Sequence, residues 1–271
     1  MASVIRKAYI DLPHGQMHYR YAGDARSPVL LMLHQSPSSS VMFEKLMAAL
    51  QESFYLLAPD SPGFGMSDPL PEAVTTQAYA SAVREFLVAL GIPSAAVFGH
   101  HTGAAIAVQL GFDFPQQVSA IALSGPTLLN DALKTALPEK AKPFVADEEG
   151  SHLLGMWQRM RAKEPAAPLE LSLRETLLGL AVGDAYPDAY TAVIEQDFES
   201  QLRELDIPVF VFAGDGDPLY PQLDAAFAAC KRGEKAVIPG ARTYACDLYA
   251  NEIAAMLKTF FSRQSDVELK G

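Results

Sequence analysis

A five-residue segment, Gly99 to Gly103, is the part of this sequence best suited to chemistry. It reads Gly-His-His-Thr-Gly, follows the apolar run 95–98 and precedes the small-residue stretch 104–108. A strand, a G-x-x-x-G turn and a helix form the frame of a nucleophile elbow, whose middle side chain projects from a sharply turned backbone. The two glycines let the strand and the helix approach closely. The middle residue of such an elbow is normally serine, but here it is His101. The segment therefore predicts acid–base chemistry by an imidazole.

Length, composition and charge limit the classes of protein to which the chain can belong. Its 271 residues suit one α/β domain with an insertion, or two small domains. The net charge of −11 argues against nucleic-acid binding, which needs basic patches, and disfavours an anionic membrane surface. No apolar run could span a membrane, and the N-terminus lacks the apolar segment of a signal peptide. Cys230 and Cys246 indicate neither a disulfide framework nor a metal site, so we expect a cytoplasmic protein without a metal.

The elements that must position His101 follow from an alternation of short apolar runs with longer helical patterns, which is typical of a parallel α/β sheet. Strands are predicted at 8–12, 17–22, 29–33, 55–59, 95–98, 120–123, 209–213 and 236–238. Helices are predicted at 42–49, 76–90, 103–111 and 251–261. Between about 127 and 206, short amphipathic helices with Pro-rich joints replace this alternation. We therefore predict an α/β core at 1–126 and 207–271, with a helical cap at 127–206.

Four motifs, in sequence order, resemble those of the α/β-hydrolase superfamily. The segment 34–40 resembles its H-G-x-P oxyanion loop, and 60–68 is close to its D-x-P-G-x-G-x-S-D loop. The elbow is the third motif, and 214–218 resembles the acid loop, with Asp217 at the position of the triad acid. The likeness is to the capped branch, which includes haloalkane dehalogenases, epoxide hydrolases, ring-cleavage hydrolases and haloperoxidase-like esterases. It implies an α/β-hydrolase fold with a mostly parallel eight-stranded sheet, flanking helices and a helical cap.

Two departures from the family pattern bear on the mechanism. His101 stands where the family has its nucleophile, and Arg242-Thr243 stands where the family has a Gly-His that supplies the general base. The last histidine of the chain is His152, so no shifted alignment provides that base. A serine-type triad needs a nucleophile, a base and an acid that orients the base. Only the position of the acid is retained here.

The retained residues predict a different catalytic unit. An imidazole reaches further from the elbow than a serine hydroxyl, which brings His101 near Asp217 and forms a His–Asp dyad. Asp217 would fix the tautomer, and the other ring nitrogen would act as a general base. By the resemblance, the backbone N–H groups of Ser36 and Thr102 form the oxyanion hole. The candidate substrate-binding residues are Gln35, His152 and Trp157.

These features predict a cofactor-independent enzyme acting on a small, mostly apolar carbonyl or ester substrate, by hydrolysis or by C–C cleavage of the lyase type. No phosphate loop, dinucleotide fingerprint or metal cluster is evident in the sequence, so no cofactor is implied. Cofactor-free oxygenase chemistry with the same base stays open, as does assembly into a homodimer. The alternative is a non-catalytic ligand-binding or interaction protein on a degenerate hydrolase scaffold, because a fold alone does not guarantee chemistry.

Overall fold

An eight-stranded sheet forms the centre of the computed structural model, which describes residues 4–71 and 73–268. Its strand order is β1-β2-β4-β3-β5-β6-β7-β8. The second strand pairs antiparallel with both of its neighbours, and the pairs from β4 to β8 are parallel. The predicted α/β-hydrolase fold is confirmed, and each predicted strand is present. The strands are β1 (Arg6–Leu12), β2 (Gly15–Ala22), β3 (Val29–Leu33), β4 (Tyr55–Pro59), β5 (Ala95–His100), β6 (Val118–Ser124), β7 (Val209–Gly214) and β8 (Gly233–Ile238).

Helices flank the sheet and fill the long connection between β6 and β7. None of the helices in the described ranges is long and apolar enough to cross a membrane. The helices are α1 (Glu44–Leu50), α2 (Thr76–Ala89), α3 (Thr102–Asp113), α4 (Asp131–Ala141), α5 (Ser151–Lys163), α6 (Leu169–Ala181), α7 (Ala185–Glu195), α8 (Phe198–Glu204), α9 (Leu223–Ala229), α10 (Ala245–Leu248) and α11 (Ala250–Glu268).

The central strands are buried on both faces, which explains their unbroken apolar sequence. Successive side chains of a strand point to opposite faces of the sheet. Accordingly, Leu31 and Leu33 of β3 belong to a hydrophobic cluster with residues of α2 and α3, whereas Leu30 and Met32 belong to a second cluster with residues of α1 and α11. These two layers hold the carboxyl ends of the parallel strands in place, and the elbow follows β5 at that edge.

The connection between β6 and β7 consists of five helices, but these do not all pack in the same way. Helices α4, α5 and α7 share a small cluster of their own, formed by Ala141, Met156, Met160 and Tyr186. Helix α8 instead packs on the core, since its Phe198 and Leu202 belong to the large cluster with α3. Helix α7 takes part in both clusters, since its Ala189 belongs to the large one, so these helices do not form one separately packed unit. The division into core and cap at 127–206 stays a prediction.

Candidate active site

A sharp turn between β5 and α3 presents His101. This residue has φ 49° and is the one non-glycine residue with positive φ in the described part of the chain. Its backbone N–H donates to the carbonyl oxygen of Ser124 at 2.9 Å. A Cβ at Gly99 would lie 2.3 Å from the carbonyl oxygen of Gly103, and a Cβ at Gly103 would lie 1.9 Å from that of Leu33. Both glycines are therefore required by close backbone contacts, as the elbow motif predicts.

The imidazole of His101 is hydrogen-bonded to Asp217. His101 Nε2 lies 2.7 Å from Asp217 Oδ2, and the other carboxylate oxygen accepts the Leu219 N–H at 2.8 Å. Burial raises the pKa of Asp217, but the charge and hydrogen bond of His101, with the Leu219 bond, outweigh it and hold that pKa below its ordinary value. An ionised carboxylate only accepts hydrogen bonds, so Nε2 of the neutral ring carries the proton. Nδ1 is then left with a lone pair that can accept a proton.

A glycine after β6 provides the space for this ring. Gly125 has φ 61°, and a Cβ there would lie 2.4 Å from His101 Cδ2 and 2.6 Å from Nε2. Any side chain at residue 125 would therefore displace the imidazole from Asp217. The role of Gly125 could not be predicted from the sequence, because a glycine after a strand carries no signal of what it contacts.

A second imidazole, that of His100, packs against the ring of His101. His100 is fully buried, and its ring stacks on that of His101 with 4.2 Å between centroids. Its Nδ1 lies 2.9 Å from Ser124 Oγ, and its Nε2 lies 3.0 Å from the carbonyl oxygen of Thr243. Burial, followed by the charge of His101, lowers the pKa of His100 to about 3. The ring is therefore neutral at physiological pH, and its Nε2–H donates to Thr243, the residue at the position of the missing base.

The two residues predicted to form the oxyanion hole contact each other, through the backbone of Ser36 and the side chain of Thr102. The Ser36 N–H points to Thr102 Oγ1 at 3.3 Å, which is a long hydrogen bond. Thr102 is the first residue of α3, where backbone N–H groups have no acceptor within the helix. The Tyr190 hydroxyl from α7 donates to the carbonyl oxygen of Ser36 at 3.4 Å. The His34 ring also fixes this loop, because its Nε2 accepts the Ser61 N–H at 2.8 Å.

A cavity of about 410 Å³ opens beside His101. This volume lies in the range of small-molecule sites, which is about 300–1,000 Å³. Ser36 and Thr102 also line the cavity, as do side chains from the α4, α5 and α7 helices. The remaining lining residues are Thr127, Leu129, Leu133, Leu137, Glu139, Lys140, Arg159, Ala162, Lys163, Tyr186, Tyr190, Val193, Pro218, Leu219, Arg242 and Thr243.

The three residues predicted to bind substrate are not among those that line this cavity. Gln35 is buried, and its Oε1 has no hydrogen-bond partner in the described part of the chain. His152 lies in the first turn of α5, where its Nδ1 accepts the N–H of Asp147 from the preceding loop at 3.3 Å. Trp157 is half-buried on α5. Residues on the inner sides of α4, α5 and α7 take the place of these three.

Comparisons with known proteins agree with this architecture. A family model described as the alpha/beta hydrolase fold matches residues 28–246. An uncharacterized hydrolase of Saccharomyces cerevisiae is 30% identical in an alignment of 247 residues that covers 81% of this chain and 84% of that protein. The 2-(acetamidomethylene)succinate hydrolase of Mesorhizobium japonicum is 25% identical over 90% of this chain and 89% of its own length. A crystal structure of E-2-(acetamidomethylene)succinate hydrolase superposes with a TM-score of 0.77 at 19% identity, covering 96% of this chain and 100% of that one.

Proposed function

This chain belongs to the α/β-hydrolase family, and on that premise we propose that it is a cofactor-independent enzyme whose general base is His101, oriented by Asp217. The observation that carries the proposal is the 2.7 Å contact between His101 Nε2 and Asp217 Oδ2. It leaves Nδ1 as the basic nitrogen of a ring that lines the cavity. The substrate class is a small carbonyl or ester compound, because much of the cavity lining is apolar.

The reaction begins with proton transfer to His101 Nδ1. In hydrolysis, Nδ1 takes a proton from water while the water oxygen bonds to the carbonyl carbon. The tetrahedral intermediate then expels its alkoxide, which takes the proton back from the imidazolium. In C–C cleavage of the lyase type, Nδ1 takes the proton of a hydroxyl group β to a carbonyl, and the bond between the hydroxyl-bearing carbon and the α carbon breaks. The hydroxyl-bearing carbon becomes a carbonyl, and the enolate that leaves takes the proton back from the imidazolium. The Asp217 carboxylate stabilises the imidazolium in both cases.

Negative charge develops on the carbonyl oxygen in either reaction, and Thr102 is placed to stabilise it. Its hydroxyl oxygen accepts the Ser36 N–H, which leaves the hydroxyl hydrogen free to donate to the substrate. A hydroxyl that accepts one hydrogen bond becomes a better donor for the next. The Thr102 N–H at the start of α3 adds a second donor and the positive end of a helix dipole. We therefore place the oxyanion beside Thr102, with Ser36 acting through the Thr102 hydroxyl.

A covalent acyl-enzyme does not fit this set of residues. Its hydrolysis would need a second base to activate water. Thr243 stands at the position of that base, and its carbonyl oxygen is taken by His100. His100 itself is fully buried and does not line the cavity. A single-step attack by water is the simpler chemistry.

The test is turnover that depends on His101. The wild-type protein should hydrolyse 4-nitrophenyl esters, or exchange deuterium into an enolisable ketone, and His101→Ala should lose both activities. His152→Ala is the matched control, because this histidine lies away from the cavity. Fluorophosphonate probes should not label the protein, since they require an activated serine. Labelling of a serine, or an acyl group trapped on His101, contradicts the single-step mechanism. Ligand binding without turnover of any substrate would favour a non-catalytic role.

A further inference from the structure

The cavity beside His101 is rich in cations, although the whole chain carries a net charge of −11. The lining includes one acidic residue, Glu139, whose carboxylate pairs with Lys142 at 2.7 Å. It also includes four lysine or arginine residues: Lys140, Arg159, Lys163 and Arg242. Much of the remaining surface is leucine, valine and proline. Such a cavity suits a molecule with an apolar body and an anionic end.

Lys163 is a half-buried cation in the last turn of α5. Its side-chain ammonium has no hydrogen-bond or ion-pair partner within residues 4–71 and 73–268, and only its backbone carbonyl accepts a hydrogen bond. Arg161, in the same turn, donates to the carbonyl oxygen of Ala167 at 2.6 Å and to Ser172 Oγ at 3.0 Å. Arg161 therefore already supplies a positive charge that interacts with neighbouring groups at the C-terminal end of α5, and Lys163 is not needed for this. Burial is the main cause of the lowered pKa of His100, and the positive charge of Lys163 adds to it. Lys163 thus influences the site, and although its charge also acts on the buried Glu175 carboxyl, its ammonium makes no direct ion pair in the described part of the chain.

Arg242 brings a second cation next to Lys163. Its Nε donates to the backbone carbonyl of Lys163 at 3.4 Å. Glu164 Oε2 lies 4.0 Å from that nitrogen, at the limit of an ion pair. Arg242 comes from the loop after β8, so the two cations approach the cavity from different elements. Both residues line the cavity, and a guanidinium and an ammonium can each bind one oxygen of a carboxylate.

A buried hydroxyl gives a second, independent indication of a polar ligand. Thr127 is 4% exposed and lines the cavity, and its Oγ1 has no hydrogen-bond partner in the described chain. Buried polar groups in folded proteins are nearly always hydrogen-bonded, so an unpaired one in a cavity wall indicates a partner that arrives with the ligand.

We propose that the substrate carries a carboxylate bound by Lys163 and Arg242, while its reacting carbonyl lies at His101. The Thr127 hydroxyl donates to a polar group of the same molecule. This inference rests on the function proposed for His101 and adds the substrate class: a small organic acid with an ester or ketone group and an apolar chain.

The first experiment compares two esters that differ in one charge. The probes are 4-nitrophenyl hydrogen succinate, which is an anion at pH 7, and its neutral methyl ester. The wild-type protein should show a lower KM for the anion, and Lys163→Met should raise that KM by roughly tenfold to 100-fold with kcat little changed. Arg242→Gln should act in the same direction, and the KM for the neutral ester should stay constant. Lys134→Met is the control, because this lysine on α4 is exposed and lies outside the cavity.

The second experiment separates this inference from the proposed function. Binding of monomethyl succinate and of dimethyl succinate is measured by NMR titration of the His101→Ala variant, which needs no turnover. If the anion binds to the His101→Ala variant but not to the Lys163→Met and His101→Ala double variant, the carboxylate site is supported, even if no ester is ever hydrolysed. The inference is overturned if both molecules bind equally or if the anion does not bind. It is also overturned if the preference for the anion is kept in both the Lys163→Met and the Arg242→Gln variants.

Discussion

Substitution of Asp217 by asparagine removes one charge and leaves the shape of the side chain unchanged. The His101 Nε2 to Asp217 Oδ2 distance is 2.7 Å, so the centres of the two charges lie about 4 Å apart in the imidazolium state. At an effective dielectric constant of about 20, their attraction is about 4 kcal/mol, which corresponds to roughly 10³-fold in rate. This attraction acts when the imidazole is charged, so the loss should appear in kcat.

The hydrogen bond to Leu219 increases the effect of this substitution. If the asparagine carbonyl keeps the Leu219 N–H, which Asp217 Oδ1 accepts at 2.8 Å, its NH₂ group faces His101 Nε2. Nε2 must then accept, the ring proton moves to Nδ1, and the base is lost. We expect kcat to fall about 10³-fold or more, measured on the 4-nitrophenyl ester with the best wild-type rate. Asp215→Asn, at an exposed residue of the same turn, is the control. A decrease of less than tenfold in a folded Asp217→Asn variant would refute the dyad.

Three further perturbations test the surroundings of the dyad. Gly125→Ala places a methyl group 2.4 Å from His101 Cδ2 and should reduce kcat at least tenfold. The control is Gly183→Ala, which has a similar φ of 56° but nothing within 4 Å of the new methyl group, and should lower the stability of the protein without changing kcat. Equal kcat in both variants would contradict the steric argument. Burial raises the pKa of Asp60, but its hydrogen bonds, first from the His18 ring, lower it to about 2. The free energy of unfolding of the Asp60→Asn variant should therefore be lower than that of the wild-type protein by about 2 kcal/mol at pH 7. This difference is present above about pH 4 and is lost as the pH falls through 2, so a pH-independent difference in denaturant melts would refute the assignment. A double variant, His101→Ser with Thr243→His, should become reactive towards fluorophosphonate, and each single substitution should not.

The sheet could be predicted from sequence because its strands are buried on both faces. Runs such as 29–33 and 209–213 are continuously apolar, and the two-layer packing of β3 shows why. The glycines of the elbow were equally predictable, since close backbone contacts at Gly99 and Gly103 exclude any other residue. In each case the sequence carries the constraint locally, within the element itself.

The lining of the cavity could not be predicted in the same way. The direction of a side chain on a helix outside the core depends on how that helix packs, and the predictions for His152 and Trp157 had no information on this. The inner face of α5 presents Arg159 and Lys163 to the cavity, whereas His152 contacts Asp147. The stacking of His100 under His101 was also beyond sequence reasoning, because consecutive residues of a strand normally point to opposite faces. The positive φ of His101 brings the two rings onto the same side.

The two departures from the family pattern are consequences of one geometry. In the family triad the acid orients a histidine that follows β8. Here His101 Nε2 contacts the same acid through Oδ2, and the Leu219 N–H takes Oδ1. A histidine at residue 243 would have to compete with His101 for this carboxylate, which is 2% exposed and already has a hydrogen bond to each oxygen. The carbonyl oxygen of Thr243 meanwhile anchors His100, on which the ring of His101 stacks. On the proposed mechanism, an imidazole at the elbow stands in for both the nucleophile and the separate base, which accounts for the acid being the triad position that remains.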